Sequence, residues 1–126
     1  MAHPAVILVV SDFRIRHFLS LVLRKELNVA VKAFGSCTDA MLAFDPADMP
    51  AAIIFDATMP DGNDGNDLLH WRNQRFPQVP AVVMTYAASS LKEPGATAIL
   101  KKPFSPEALV KTIASSIGLT GGALHA

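Results

Sequence analysis

Four residues with reactive side chains stand at the ends of short apolar runs: Asp12, Asp56, Thr85 and Lys102. If these runs form a parallel sheet, their carboxyl ends share the edge at which open α/β sheets bind ligands. Two neighbouring carboxylates repel each other unless a cation joins them, and Mg²⁺ takes one or two carboxylates together with waters. A hydroxyl and an ammonium opposite a carboxylate are suited to hold a phosphoryl group on it. The four residues together predict a phosphoryl site, whereas Asp56 taken alone is equally well explained as the cap of a turn.

The elements that must position these residues alternate along the chain. Apolar runs predict strands at 5–10, 29–33, 51–55, 81–84 and 96–100. Apolar residues at helical spacing predict helices at 15–23, 40–44, 68–76 and 108–117. The polar stretch 87–93 has room for a couple of helical turns at most. Right-handed crossovers turn this order into one parallel sheet with helices on both faces, an α/β doubly wound fold.

Length and composition restrict the class of protein. With 126 residues, 51% of them hydrophobic and 17% charged, we expect one globular domain, 1–126, with its core in 5–117 and a loose tail in 118–126. The formal net charge is 0, so no basic excess favours nucleic-acid binding. The run Ala5–Val10 is too short to cross a membrane, and a cytoplasmic protein is the default expectation. The single cysteine, Cys37, excludes an internal disulfide.

Over residues 5–117 the chain resembles the receiver domain of two-component response regulators. The resemblance rests on four segments: Val9-Val10-Ser11-Asp12, Ile54-Phe55-Asp56 with Met59-Pro60, Thr85, and Lys102-Pro103-Phe104. It implies a flavodoxin-like (βα)5 fold with a parallel five-stranded sheet. It also implies that the chain is not an enzyme with a separate substrate. Such a domain is a phosphoacceptor with, at most, self-catalysed phosphotransfer and dephosphorylation.

The resemblance also implies a role for each site residue. Asp56 would accept a phosphoryl group from a histidine kinase or a phosphotransfer protein, and so switch the binding of an unknown downstream protein. Asp12, Asp56 and the carbonyl of Thr58 would bind Mg²⁺. Lys102 would pair with the phosphoryl group, and Thr85 would follow it as the switch residue. The peptide between Lys102 and Pro103 is usually cis in this family, and a homodimer is left open.

The sequence departs from the family pattern in four places. Ser11 stands where the family commonly has a first acid, so we expect weaker metal binding. The loop Met59–Gly65 carries one extra residue. Only 17 positions separate Thr85 from Lys102, so the fourth helix is expected to be short or absent, and the polar stretch 89–95 is expected to bury little. Ile99 replaces the switch aromatic expected three residues before the lysine.

Three other readings compete with a phosphoaccepting receiver. A degenerate receiver that binds partners without phosphorylation is favoured by the departures and disfavoured by the retained site residues. An enzyme of the haloacid-dehalogenase type has an acid two residues after the nucleophile. This chain has Thr58 there, which disfavours that reading. A flavin-binding flavodoxin has a Ser/Thr-rich phosphate loop after the first strand. This chain has Asp12-Phe13-Arg14 there, which disfavours that reading.

Overall fold

The computed structural model describes residues 4–60 and 64–118. Strands and helices alternate in this order: β1 Ala5–Val9, α1 Phe13–Leu27, β2 Ala30–Phe34, α2 Cys37–Ala43, β3 Ala52–Asp56, α3 Gly65–Arg75, β4 Ala81–Thr85, β5 Ala98–Lys101 and α4 Pro106–Ser116. The strands pair in parallel in the order β2-β1-β3-β4-β5. The predicted flavodoxin-like, doubly wound sheet is confirmed, with strand bounds shifted by one or two residues. Of the predicted tail, residues 119–126 lie outside the described part of the chain.

The sheet has a separate hydrophobic core on each face. One core joins the sheet to α1 and α4 and includes Leu23, Leu109 and Ile113. The other joins the sheet to α2 and α3 and includes Phe55 and Leu69. Strands covered on both faces read as continuous apolar runs, and every residue of β3 and β4 is buried. A polar residue that ends such a strand therefore stands at the rim of the sheet, where it can reach solvent.

The connection between β4 and β5, residues 86–97, contains no α-helix. Its regular structure is a single 3₁₀ turn, Ala88–Ser90, and Gly95 then takes a positive φ of 101°. Pro94 and the short span of the connection prevent a longer helix, because proline cannot continue one. The expectation that the fourth helix is short or absent is confirmed. Within the described residues, no helix is long and apolar enough to cross a membrane.

Polar side chains of α3 hold this connection in place, which the sequence analysis did not anticipate. Asn66, Arg72 and Asn73, which we call the α3 tether, all bond to its backbone. The Asn66 amide donates to Ser90 O (3.0 Å) and accepts from Lys92 N (2.7 Å) and Glu93 N (3.0 Å). Asn73 Nδ2 donates to Pro94 O (2.6 Å), and Arg72 Nη1 donates to Gly95 O (2.9 Å). The connection is mostly exposed, as expected, yet it is fastened to α3 by its own backbone groups.

Candidate functional site

The four predicted site residues stand at one edge of the sheet. Asp56 and Thr85 are the last residues of β3 and β4, while Asp12 follows β1 and Lys102 follows β5. A cavity of about 370 Å³ at this edge is lined by Asp12, Asp56 and Lys102 together with Thr58. Thr85 stands in the chain between Met84 and Tyr86, which line the cavity, but does not line it itself. The structure thus brings together Asp12, Asp56, Thr58 and Lys102, and leaves Thr85 beside them.

The carboxylate of Asp56 is the most deeply placed charged group of this cavity. Only 6% of Asp56 is exposed, and its Oδ1 forms an ion pair with Lys102 Nζ. Within the described residues, Oδ1 receives no hydrogen bond of good geometry, so the ion pair is its main compensation. Burial raises the pKa of Asp56, and the close contact with the charged Lys102 ammonium lowers it by less. A buried carboxylate whose charge is incompletely compensated is stabilised by a further cation or by a group that removes its charge.

Asp12 caps α1 with one of its two carboxylate oxygens. Oδ1 caps α1 by accepting from Arg14 N (2.8 Å) and Ile15 N (3.2 Å), which fixes the carboxylate at the start of the helix. No described residue donates a hydrogen bond to Oδ2, and Asp12 is exposed and lines the cavity beside Asp56. One oxygen therefore holds the side chain in place while the other stays available to a ligand.

The residues present fit a magnesium ion. No group of three or more His, Cys, Asp and Glu side chains able to hold a metal occurs among the described residues. Two carboxylates, Asp12 and Asp56, do share the cavity with Thr58, and no described residue donates a hydrogen bond to Asp12 Oδ2. Mg²⁺ is commonly bound by one or two carboxylates and several waters, so this donor set suits it.

The backbone at Ser11, where the family commonly has a first acid, is held by Arg16. Arg16 Nη1 donates to Val10 O (2.6 Å) and to Ser11 O (3.2 Å). Arg16 does not line the cavity of Asp56. The expectation of weaker metal binding therefore rests on Ser11 alone.

The hydroxyl of Thr85 is turned toward its own loop. Oγ1 donates to Ala87 O (2.9 Å) and accepts from Ala87 N (3.2 Å), so both of its roles are satisfied within three residues. The backbone at this point is tied to the next site residue, because Lys102 N donates to Thr85 O (2.7 Å). To reach a phosphoryl group, Thr85 must exchange its bonds to Ala87 for bonds to that group.

The floor of the site is a backbone contact at the start of α3. Gly65 N donates to Ala57 O (3.0 Å), and Ala57 N donates to Met84 O (2.9 Å). A Cβ on Gly65 would lie 2.3 Å from Asp56 O and 2.6 Å from Ala57 Cα. The loop after Asp56 therefore returns so closely that only glycine fits. Residues 61–63 of the loop that is expected to carry one extra residue lie outside the described residues.

Among the residues that line this cavity, sequence reasoning missed Tyr86. Its ring centroid lies 5.3 Å from Lys102 Nζ, and the residue lines the cavity that contains Asp56. An aromatic residue directly after a polar strand end was the signal available in the sequence.

The Lys102–Pro103 peptide is cis, as the resemblance implied.

Comparisons with known proteins agree with this geometry. The family model for the response regulator receiver domain matches residues 6–114. The chain belongs to the response regulator receiver family. Receiver domains of two-component systems interact with kinases and with downstream effectors, so the family places this chain in signal transduction. A comparison with curated proteins gave no match.

Solved receiver structures share the fold. The chemotaxis protein CheY4 of Vibrio cholerae is 27% identical with a TM-score of 0.78, covering 91% of this chain and 99% of that one. A response regulator receiver protein from Pseudoalteromonas atlantica is 26% identical with a TM-score of 0.77, covering 91% and 98% of the two chains. The BeF3-activated DrrB receiver domain, at 20% identity and a TM-score of 0.79 over 94% and 99%, shows the fold alone.

Proposed function

We propose that this receiver domain accepts a phosphoryl group on Asp56 from a histidine kinase or a phosphotransfer protein. The observation that carries the proposal is the buried Asp56 carboxylate, ion-paired with Lys102 inside a cavity that opens at the carboxyl edge of the sheet. It acts on no separate substrate and works as a switch, with phosphotransfer and dephosphorylation at Asp56 as its only chemistry. We place it in the cytoplasm.

The chemistry follows from the ion pair. A carboxylate oxygen of Asp56 attacks the phosphorus of a phosphohistidine, the bond from phosphorus to the imidazole nitrogen breaks, and its electron pair stays on the imidazole. The new phosphoryl group carries its negative charge outward from Asp56, so the Lys102 ammonium moves from the carboxylate to the phosphoryl oxygens. Thr85 can then donate its hydroxyl to the same oxygens once it leaves Ala87.

Mg²⁺ is the cofactor we propose, held by Asp12, Asp56 and the Thr58 carbonyl. When bound, the ion supplies positive charge that offsets the charge of the phosphoryl oxygens. The protein prepares the ligands itself: the α1 cap orients Asp12, and the end of β3 orients Asp56.

A protein donor also needs a surface beside the cavity. Ile15 and Phe18 of α1 are each 52% exposed and line the same cavity as Asp56, together with Phe104. Large exposed apolar side chains around a functional group are typical of an interaction surface. We propose that the phosphodonor covers this face of α1 during transfer.

A degenerate receiver remains the second candidate, and one observation favours it. The Thr85 hydroxyl is satisfied by its two hydrogen bonds with Ala87. In that case the chain binds its downstream partner without being phosphorylated. Phosphorylation of Asp56 separates the two candidates.

The first test is labelling with a small phosphodonor. Incubated with acetyl phosphate and Mg²⁺, the wild-type protein is expected to gain one acid-labile phosphoryl group, mapped to Asp56 by mass spectrometry. Asp56→Asn removes the attacking oxygen and is expected to gain none. Asp48→Asn is the matched control, because Asp48 is a surface carboxylate paired only with Lys32 and should leave labelling unchanged. A label that persists in Asp56→Asn contradicts the assignment.

The second test concerns magnesium. Asp12→Asn keeps a good N-cap residue and removes the charge, so we expect the fold to persist and Mg²⁺ affinity to fall about tenfold. Because burial raises the pKa of Asp56 and the ion needs the ionised carboxylate, affinity should also fall as the pH is lowered through that raised pKa. Amide chemical shifts during Mg²⁺ titration measure both effects. Equal affinity in Asp12→Asn and wild type would show that the carboxylate pair is not the site.

A further inference from the structure

Tyr86 is placed where it can act on the reacting groups without touching Asp56. It directly follows Thr85, and 73% of the residue is exposed, which is unusual for a large ring next to a buried strand end. Its ring nonetheless lies over the Lys102 ammonium, with 5.3 Å from Nζ to the ring centroid. That distance is within the range of a cation–π contact.

The same side chain is part of the cavity wall. Tyr86 lines the cavity of Asp56, Thr58 and Lys102, on the side formed by the residues after β4. A phosphoryl group on Asp56 would extend into this cavity, because Oδ1 faces Lys102, which lines it. The Tyr86 ring therefore stands at the wall of the cavity that the phosphoryl group would enter.

The position of Tyr86 is also coupled to Thr85. The two bonds between Thr85 Oγ1 and Ala87 close a short loop whose middle residue is Tyr86. If Thr85 turns to a phosphoryl group, both bonds break, but the backbone bond from Lys102 N to Thr85 O (2.7 Å) does not involve the hydroxyl. The main chain that carries Tyr86 therefore stays next to Lys102 when Thr85 engages the phosphoryl group.

We propose that Tyr86 is a positioning residue that holds the Lys102 ammonium at the phosphoryl site and shields the phosphoryl group from water, and so lengthens its lifetime. This inference rests on the proposed function of Asp56. It assigns to residue 86 an aromatic role at the site, in a chain whose expected switch aromatic is replaced by Ile99.

The step that Tyr86 slows is hydrolysis of the acyl phosphate. A water oxygen attacks phosphorus, the bond from phosphorus to the Asp56 oxygen breaks, and its electron pair returns to the carboxylate. The water gives up a proton, and inorganic phosphate leaves. A ring at the cavity wall restricts the approach of that water, and an ammonium held in place stays on the phosphoryl oxygens.

The test compares three substitutions at an exposed position, so all variants are expected to fold. After removal of acetyl phosphate, the acid-labile label on Asp56 is followed by mass spectrometry. Tyr86→Ala is expected to shorten the half-life of the label about threefold, while Tyr86→Phe, which keeps the ring, leaves it unchanged. Tyr86→Leu keeps apolar volume without a π face, so a half-life between those of Tyr86→Ala and wild type is expected.

A second readout does not depend on phosphorylation. The Lys102 side-chain protons should show a ring-current shift in wild type and Tyr86→Phe that is lost in Tyr86→Ala and Tyr86→Leu. Equal half-lives in wild type and Tyr86→Ala overturn the role of Tyr86 while leaving the proposed function of Asp56 intact. A wild-type protein that takes no label overturns both. A missing ring-current shift in wild type overturns the contact itself.

Discussion

Gly65→Ala is expected to lower the free energy of unfolding by about 3 kcal/mol. The added Cβ would lie 2.3 Å from Asp56 O, 2.6 Å from Ala57 Cα and 3.0 Å from Ala57 O. All three atoms belong to the backbone, so no side chain can swing away to make room. Either the start of α3 or the end of β3 must move, although alanine is in itself a better helix residue than glycine.

Urea unfolding followed by circular dichroism measures this loss. Gly35→Ala is the matched control, because the three atoms nearest to its Cβ would all belong to the end of the Arg16 side chain, the closest at 3.0 Å. We expect Gly35→Ala to lower the free energy of unfolding by much less than Gly65→Ala does. Since the displaced backbone carries Asp56, Gly65→Ala should also slow labelling by acetyl phosphate. A Gly65→Ala protein as stable as wild type would show that the close approach of α3 to β3 is wrong.

Arg72→Met is the second substitution with a large expected effect. It should lower the free energy of unfolding by about 3 kcal/mol. Only 7% of Arg72 is exposed, and burial lowers the pKa of its guanidinium. Nε donates to Val79 O (2.7 Å), and Nη1 donates to Gly95 O (2.9 Å) and Asn73 Oδ1 (2.7 Å). Methionine fills similar volume but leaves these acceptors without their donor.

Arg75→Met, in the same helix, supplies the comparison. Arg75 is exposed, so its replacement should change the unfolding free energy by less than about 0.5 kcal/mol. Hydrogen exchange adds a local measure, because Arg72→Met should reduce amide protection in residues 91–97 more than in β1. Equal losses for the two variants would contradict a structural role for the Arg72 hydrogen bonds.

The sequence was sufficient to predict the sheet and the meeting of Asp12, Asp56 and Lys102. Buried parallel strands are continuous apolar runs, so a polar residue marks the point where each run reaches the rim. Topology then brings those points together without any knowledge of side-chain packing. The same logic located Thr85 correctly at the end of β4.

Other features depend on side-chain choices that periodicity does not encode. Thr85 stands where predicted, but its rotamer faces Ala87, and nothing in the order of residues decides that. The partners in the α3 tether are 21 to 27 positions apart, so the tether becomes visible only once α3 lies beside the connection. Tyr86 was overlooked for a related reason, since its contact with Lys102 joins the ends of two different strands.

The α3 tether changes the surface that a partner protein would meet between the fourth and fifth strands. A partner that recognises a receiver through a helix between the fourth and fifth strands meets, in this chain, an irregular backbone already bonded to Asn66, Arg72 and Asn73. Such a partner would meet a surface of different shape and different hydrogen-bonding groups in this chain. A partner that binds here would contact α3 and the connection together, as one composite surface.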